Sequence, residues 1–427
     1  MNGKSFFLGV AADDFTGASD AASFLAEAGL SVVLCNEIPD ELANLERRPD
    51  AVVVALKTRT IPAQDAVQQT LDAFSWLKSQ GARQFYFKYC ATFDSTEKGN
   101  IGPVVDAVLE RYGLDYTVLC PALPVNGRTV RDGILYVNGV PLAESPMKDH
   151  PLTPMRDSDV TRLMEKQSEC RAFILTAAEM TAVRDNGRKL EKPGNSGSGR
   201  WCYVPDYYEE EHGDLIAAVF GELPFLTGGS GLAGAVGRRY AHMRGMGGHG
   251  IPSRISASPQ GGKALLLAGS CSKITLEQIS EYQKAHDGLR LVPEKLINGE
   301  QTAETVMEWI RGHGDSPLVF SSQPPEEMRQ SQSLGRERVA EAIESTLSAI
   351  AANAVGEGYT RIISAGGETS GAVTKALGYQ AFYIGRSVAP GVPVMMPVEN
   401  PRLRLVLKSG GFGQVDFFER AVEMTKA

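Results

Sequence analysis

The chain has 427 residues, 43% of them hydrophobic and 22% charged, with a formal net charge of −8. That length holds two or three domains, and the balance is that of a folded globular chain rather than a disordered one. An acidic chain lacks the basic face that a nucleic-acid binder needs, so an anionic ligand would have to be met by a local cluster of Lys and Arg.

In chain order, the first apolar run (6–12) is ended by Asp13 and Asp14 and is too short for a signal peptide. Short β-branched and aromatic runs predict strands over 6–10, 31–35, 51–56, 85–89 and 116–120, then 264–268, 318–321, 361–364 and 403–408. Longer amphipathic segments predict helices over 18–28, 63–80, 104–112, 233–243, 275–285, 336–355 and 370–377. This alternation predicts an α/β protein: two α/β domains with mostly parallel sheets and a cleft between them. The Gly/Ser/Pro-dense stretch 246–261 reads as a linker between a domain over 1–245 and one over 262–427. A second such stretch, 192–200, reads as a loop inside the first domain. No stretch reaches the ~20 apolar residues of a membrane span. The six cysteines contain no CxxC pair and read as thiols of a reducing compartment, so a cytoplasmic protein with no membrane partner is expected. The six histidines show no HxxxH or HExxH spacing, and no GxSxG occurs.

The chemistry concentrates in the loops after the predicted strands. Asp13, Asp14 and Thr16 put two carboxylates and a hydroxyl at the end of the first strand. Adjacent acids there repel unless one is exposed, metal-bound or used as a base. A helix cap accounts for one of them and less well for two. Side chains alternate along extended backbone, so the two acids are expected to differ in role, with Asp14, nearer the 15–17 turn, facing the ligand. Asp13 is then expected to orient the loop or cap a helix starting near Ala18. Lys57 and Arg59 follow the third strand, Lys88 and Lys98 belong to the fourth strand and its loop, and Arg128 follows the fifth. On one parallel sheet these cations share a rim suited to an anion. Hydroxyl and amide neighbours favour a polyol acid over a bare phosphate.

Three glycine clusters each come directly after an apolar, strand-like run. Gly229, Gly231 and Gly234 spell GxGxxG, but no Asp or Glu occurs between Leu223 and Leu276, which removes the dinucleotide reading. That loop either receives an anion at a helix start or simply lets the helix pack closely. The other two clusters, Gly366-Gly367-Glu368-Thr369-Ser370 and Ser409-Gly410-Gly411, belong to the second domain and sit at strand ends, where α/β proteins bind ligands. No GxxxxGK[ST] is present.

Together these segments resemble the four-carbon acid sugar kinases. The resemblance rests on ADDFTGASD (12–20), KTR (57–59), FKYCATFDSTEKGNIGP (87–103), TGGSGLA (227–233), LLLAGSCSKITLEQ (265–278), SAGGETSGAV (364–373) and LKSGGFGQVDFF (407–418). It implies a sugar-acid-binding domain over 1–245 and a nucleotide-binding domain over 262–427, with ATP and Mg²⁺ as cofactors. The segment 121–158 looks most like the branch that phosphorylates the terminal hydroxyl of a four-carbon keto acid. Sister kinases act on D-threonate or D-erythronate, and a sensor without catalysis is the rival of another class. The resemblance implies ATP contacts at Ser270, Gly366, Gly367, Glu368, Thr369, Ser370, Gly410 and Gly411. With the loop chemistry, it places Thr16, Lys57, Arg59, Lys88, Asp94, Ser95, Thr96, Lys98, Asn100, Asn126, Arg128, Ser230 and Gly231 at the sugar acid, and Asp14 and Asp13 at catalysis. The metal ligands stay open, and a homo-oligomer is compatible with all of this. One stretch, KPGNSGSGRWCYVPDYYEEE (192–211), departs from the helix, strand and plain acidic turn that the family pattern calls for.

Overall fold

A computed structural model describes residues 6–245 and 261–426, apart from 41, 43, 44, 46, 47, 151, 187–189, 191 and 195–198. The chain divides into two compact units, 1–250 and 251–427. The predicted linker, apart from Gly261, and the centre of the 192–200 loop lie outside the described residues.

Unit 1 is built on eight parallel strands. In chain order these are β1 (Phe6–Ala12), β2 (Val32–Asn36), β3 (Ala51–Ala55), β4 (Ala82–Lys88) and β5 (Tyr116–Cys120), then β9 (Arg171–Leu175), β10 (Trp201–Pro205) and β11 (Phe225–Gly228). Their spatial order is β2-β3-β1-β4-β11-β5-β10-β9. Strands such as β3, AVVVA, are buried along their whole length, as parallel strands covered on both faces must be. A small antiparallel sheet, β6 (Arg128–Arg131), β7 (Ile134–Val137) and β8 (Val140–Pro141), is inserted after β5. Helices α1 (Phe15–Glu27), α2 (Ala63–Ser79), α3 (Ile101–Tyr112), α4 (Val160–Glu165), α5 (Ala177–Asn186), α6 (Glu210–Phe220) and α7 (Ser230–Met243) connect the strands. The chain thus keeps a helix and a strand, α5 and β10, on either side of the irregular 192–200 stretch. From β1 it runs to β2 and β3 on one side and then to β4 on the other. The carboxyl end of β1 is therefore a point where the topology switches, the usual place for a ligand in an open α/β sheet.

Unit 2 has seven strands: β12 (Ala264–Ala268), β13 (Gly288–Arg290), β14 (Leu318–Phe320), β15 (Arg361–Ala365), β16 (Ala381–Ala389), β17 (Val392–Pro397) and β18 (Arg404–Lys408). Their order is β13-β14-β12-β15-β18-β17-β16. The first five are parallel, while β17 runs antiparallel to β18 and β16 antiparallel to β17. The helices are α8 (Lys273–Tyr282), α9 (Pro293–Ile297), α10 (Ala303–Arg311), α11 (Pro325–Gln332), α12 (Arg336–Gly356), α13 (Gly367–Leu377) and α14 (Phe417–Met424). Apolar strand faces such as Leu266, Ile363 and Val406 pack with Phe417, Phe418 and Ala421 of α14. Among the described residues no helix is long and apolar enough to cross a membrane.

The glycines between β11 and α7 sit against neighbouring backbone. A Cβ at Gly228, Gly229 or Gly231 would come within 2.4–2.7 Å of the carbonyls of Cys120, Pro121 or Ala122. Absence of side chains lets the start of α7 lie directly on the loop after β5, a packing role for these glycines.

Candidate functional site

The register brings the strand ends of unit 1 into line. Ala12 pairs with Ala55 and with Lys88, and Gly228 pairs with Lys88 and Cys120. The ladder continues past the strands: Asp13 N donates to the Lys88 carbonyl at 3.0 Å, and Thr58 N and Arg59 N donate to the Asp13 carbonyl at 2.9 and 3.2 Å. This continuation fixes the two loops that carry the charged side chains.

Arg59 is the hub. Its Nε donates to Asp13 Oδ2 at 2.9 Å and its Nη2 to Asp13 Oδ1 at 2.7 Å, a two-point fork. The same Nη2 donates to Asp14 Oδ1 at 2.6 Å, and Nη1 lies 3.9 Å from Asp94 Oδ2. Asp13 is buried, whereas 30% of the Asp14 side chain is exposed. Burial pushes the Asp13 carboxyl above the usual carboxylate range, against the pull of Arg59. Burial also works against the Arg59 charge, but Asp13 and Asp14 outweigh it and hold the guanidinium well above its ordinary value. Arg59 is therefore permanently charged, and its fork favours an ionised Asp13.

The helix cap falls to the other acid. Asp14, in extended backbone, caps α1 and accepts from Gly17 N at 2.9 Å, and the helix starts at Phe15 rather than near Ala18. Of the two roles expected for Asp13, capping the helix is corrected and orienting the loop is the one that fits, since the continued ladder turns Asp13 inward to Arg59. Gly17 leaves room for two site side chains: a Cβ there would lie 2.4 Å from Asp14 Oδ1 and 3.0 Å from Lys88 Nζ and would push them aside.

Lys88 is 2% exposed and donates to the Tyr89 carbonyl at 2.9 Å. Asp20, one turn below on α1, is 8% exposed. It accepts from Ser230 Oγ through Oδ2, while its Oδ1 is buried without a hydrogen-bond partner. Burial raises the Asp20 carboxyl, opposed by Lys88 and by the Ser230 bond. Phe93 and Asp94 both take positive φ, 65° and 34°, uncommon for side-chain-bearing residues. Thr92 Oγ1 donates to Asp94 Oδ1 at 2.7 Å and holds that bend. Burial pushes the neighbouring Cys90 thiol up to about 11, so it is no nucleophile at neutral pH.

The five cations expected on one rim do not share one environment. Arg59 and Lys88 turn inward, but Lys57 is 70% exposed and pairs with Glu37 at 3.1 Å. Lys98 is exposed, and half-buried Arg128 starts the small antiparallel sheet and donates to the Asn126 carbonyl. The chain turns at Arg59 and Thr60, just past β3, so Lys57 and Arg59 meet different partners instead of sharing one side, and the insertion after β5 places Asn126 and Arg128 beside the small antiparallel sheet. Asn100 Nδ2 donates to the Thr58, Arg59 and Ile61 carbonyls at 2.6, 3.3 and 2.9 Å, so it pins the Arg59 loop to the start of α3. Ser95 Oγ donates to Gln167 Oε1 at 2.7 Å, and Thr96 and Thr16 are half-buried.

In unit 2 the predicted nucleotide loops are neighbours. Ser270 N donates to the Ala365 carbonyl at 3.2 Å and Gly366 N to the Lys408 carbonyl at 2.8 Å. Ser370 Oγ lies 3.4 Å from the Lys408 carbonyl, and Ser272 Oγ donates to the Gly410 carbonyl at 2.6 Å. A cavity of about 440 Å³ opens beside them, lined by Gly269, Ser270 and Cys271, by Gly366 to Thr369, and by Ser321, Gln323 and α12. Gly410 and Gly411 do not line it. Helix α13 starts at the cavity with Gly366 as a cap that has no side chain, leaving its first N–H groups uncapped by the chain.

Two family models match this chain, a sugar-binding N-terminal domain over residues 8–236 and a nucleotide-binding C-terminal domain over 265–418. The chain is 43% identical over 422 residues to the 3-oxo-tetronate kinase of Brucella melitensis, covering 97% of this chain and 94% of that one. Against the 3-oxo-tetronate kinase of Escherichia coli it is 40% identical, over 90% of this chain and 98% of that one. The chain belongs to the four-carbon acid sugar kinase family. Crystal structures of a Haemophilus influenzae protein and a Salmonella typhimurium LT2 protein share its fold, with TM-scores of 0.82 and 0.86, identities of 40% and 39%, and coverage of 97–100% of each chain.

In this four-carbon acid sugar kinase several site residues escape sequence reasoning. Asp20 carried a signal, an acid among the buried Ala18, Ala21 and Ala22 of α1. The cavity residues Gln323, Met328, Arg336, Ile343 and Glu344 carried none, because they are brought to the glycine loops from α11, α12 and the end of β14 only by folding. Burial and then Glu368 raise the Glu344 carboxyl.

Proposed function

We propose that the protein transfers the γ-phosphoryl group of ATP to the terminal hydroxyl of 3-oxo-tetronate, giving the 4-phosphate, with Mg²⁺ as cofactor. The observation that carries this reading is the Arg59–Asp13–Asp14–Lys88 cluster, with Asp13 and Lys88 buried and Arg59 and Asp14 half-buried, at the carboxyl edge of the domain that matches the sugar-binding model. Lys88 and Arg59 supply the positive charge for the substrate carboxylate. Both Asp13 oxygens are spent on Arg59, so Asp13 anchors. Asp14 engages its partners through Oδ1 alone, which leaves Oδ2 to take the proton from the attacking hydroxyl.

ATP fits unit 2. The cavity meets the uncapped N-terminus of α13, which suits phosphate. Met328, Val339 and Ile343 give an apolar wall for a base, and Arg336 adds a positive charge. Among the described residues no group of three or more His, Cys, Asp or Glu forms a metal cage. Mg²⁺ needs none when it arrives on a nucleotide, because phosphate oxygens and water complete its shell. Its chemistry there is to neutralise phosphate charge. The cytoplasm, where ATP is abundant, is the proposed compartment.

The test is ATP-dependent phosphorylation of 3-oxo-tetronate, D-threonate and D-erythronate, followed by product analysis. Turnover should be fastest with 3-oxo-tetronate. Preference for either tetronate would move the protein to a sister activity, and binding of acid and nucleotide without turnover would make it a sensor.

A further inference from the structure

Lys408 ends β18 with a side chain that has no exposed surface. Its Nζ donates to Thr275 Oγ1 at 2.9 Å, to the Gly410 carbonyl at 3.1 Å and to the Ser409 carbonyl at 3.3 Å. Ser272 Oγ and Thr275 Oγ1 lie 2.6 and 3.0 Å from the same Gly410 carbonyl. Three donors thus converge on one carbonyl and fix the 409–411 loop. Every acceptor around the ammonium is neutral, and its other neighbour is the Phe417 ring, 5.6 Å away. No carboxylate among the described residues forms an ion pair with it. The charged groups on the surrounding elements are engaged elsewhere. On α8, Lys273 and Glu277 face each other at 3.8 Å, and Glu281 pairs with Lys284. On α14, Glu419 pairs with His286 and Glu423 with Lys426, while Arg420 is exposed. Arg361 and Arg404 begin their strands, four residues from the Lys408 end, and Lys375 lies in the last turn of α13. Asp416 is exposed, and Glu368 lines the cavity.

A buried charge without a counter-ion is costly, and folds keep one where a ligand completes it. We propose that Lys408 is a positioning residue of the nucleotide site, a buried cation that shapes the 409–411 loop and takes its counter-charge from the phosphates of the bound nucleotide. This rests on the assignment of ATP to the loops of unit 2. Desolvation holds the free amine at about 8, well below its ordinary 10.5. An arriving polyanion reverses that, so binding draws a proton onto Lys408.

The experiment is calorimetric titration of the wild-type protein with ATP at pH 8.5, where the nucleotide's own phosphates are already ionised, in buffers of different ionisation enthalpy. The expected result is a net uptake of protons on ATP binding. Adenosine should bind with no uptake. Lys408→Met should abolish the uptake and weaken ATP at least tenfold more than adenosine, whereas a loop merely loosened would weaken both alike. If Lys408→Met does not fold, titration of the ¹⁵N-labelled lysine amines of the wild type, with and without ATP, reads the same shift. ATP binding with no proton uptake would overturn the role of Lys408 and leave the nucleotide site standing. No ATP binding at all would remove the nucleotide assignment and this inference with it.

Discussion

Asp13 and Asp14 are adjacent in sequence and share Arg59 as a partner, yet they differ in exposure and in their remaining bonds. Asp13 is clasped on both oxygens by Arg59, while Asp14 caps α1 and keeps one oxygen free. Asn caps a helix about as well as Asp does, so Asp14→Asn separates the cap from the base. It should lower kcat by about 10²–10⁴, with a smaller loss of stability than Asp13→Asn because only one oxygen of Asp14 accepts from Arg59. Near-normal turnover would take the base role from Asp14. Asp13→Asn should cost more stability, about 1.5–3 kcal/mol for a charge-assisted bond lost beside a half-buried guanidinium. Its melting curve, compared with that of Asp14→Asn, decides between anchor and base. Asp20 makes a pH-dependent case. Its carboxyl is raised by burial from an ordinary 3.8. Such a group contributes stability that is complete below its unfolded value and is lost as pH rises through its folded value. Asp20→Asn cannot ionise, so its Tm should exceed the wild type's at pH 8, with the gap closing by pH 4. A deficit that grows toward pH 8 would mean that Lys88 holds Asp20 ionised and that the charge stabilises the fold.

At the scale of elements, the site is a consequence of parallel register. The ends of β3, β1, β4, β11 and β5 are level, so the loops after them meet although they are far apart in sequence. Being at a strand end is nevertheless insufficient. Lys57 lies one residue past Leu56 and faces solvent, whereas Lys88 is the last residue of its strand and is buried. Lys88→Ala should raise KM for the sugar acid by roughly one to two decades, from the loss of about 1.5–3 kcal/mol, with KM for ATP unchanged. Lys57→Ala should change neither constant, since an exposed pair of this kind is worth little. Steady-state kinetics on both variants checks this, and a sugar-acid effect from Lys57 equal to that from Lys88 would restore the wider rim.

For the whole molecule, two units mean that unfolding need not be a single transition. Each ligand should stabilise the protein by RT ln(1 + [L]/Kd), about 2.7 kcal/mol at a hundred times its Kd. Gly367→Val is a clean probe, because a Cβ at that position meets nothing within 4 Å. The variant should melt like the wild type without ligand, lose the shift caused by ATP and retain the shift caused by the sugar acid. Scanning calorimetry with each ligand separately reads all three. Loss of both shifts would mean that the substitution acts on more than the nucleotide loop.

The sequence by itself determined the alternation of strands and helices, the α/β class and the loops that carry the chemistry. Those are local signals: β12 lies over 264–268 as its apolar run predicts, and β15 matches its own within a residue. It did not announce the antiparallel β16–β17 pair or the small sheet β6–β8, because such runs acquire their meaning from the strand they meet. Motifs located Asp13, Asp14, Arg59 and Lys88, but only the tertiary structure decided which acid caps, which anchors and which cations turn inward. The reason is physical. A motif fixes the kind and spacing of side chains, whereas burial, orientation and counter-charge depend on partners many residues away, such as Arg59 for Asp13 and Ser230 for Asp20.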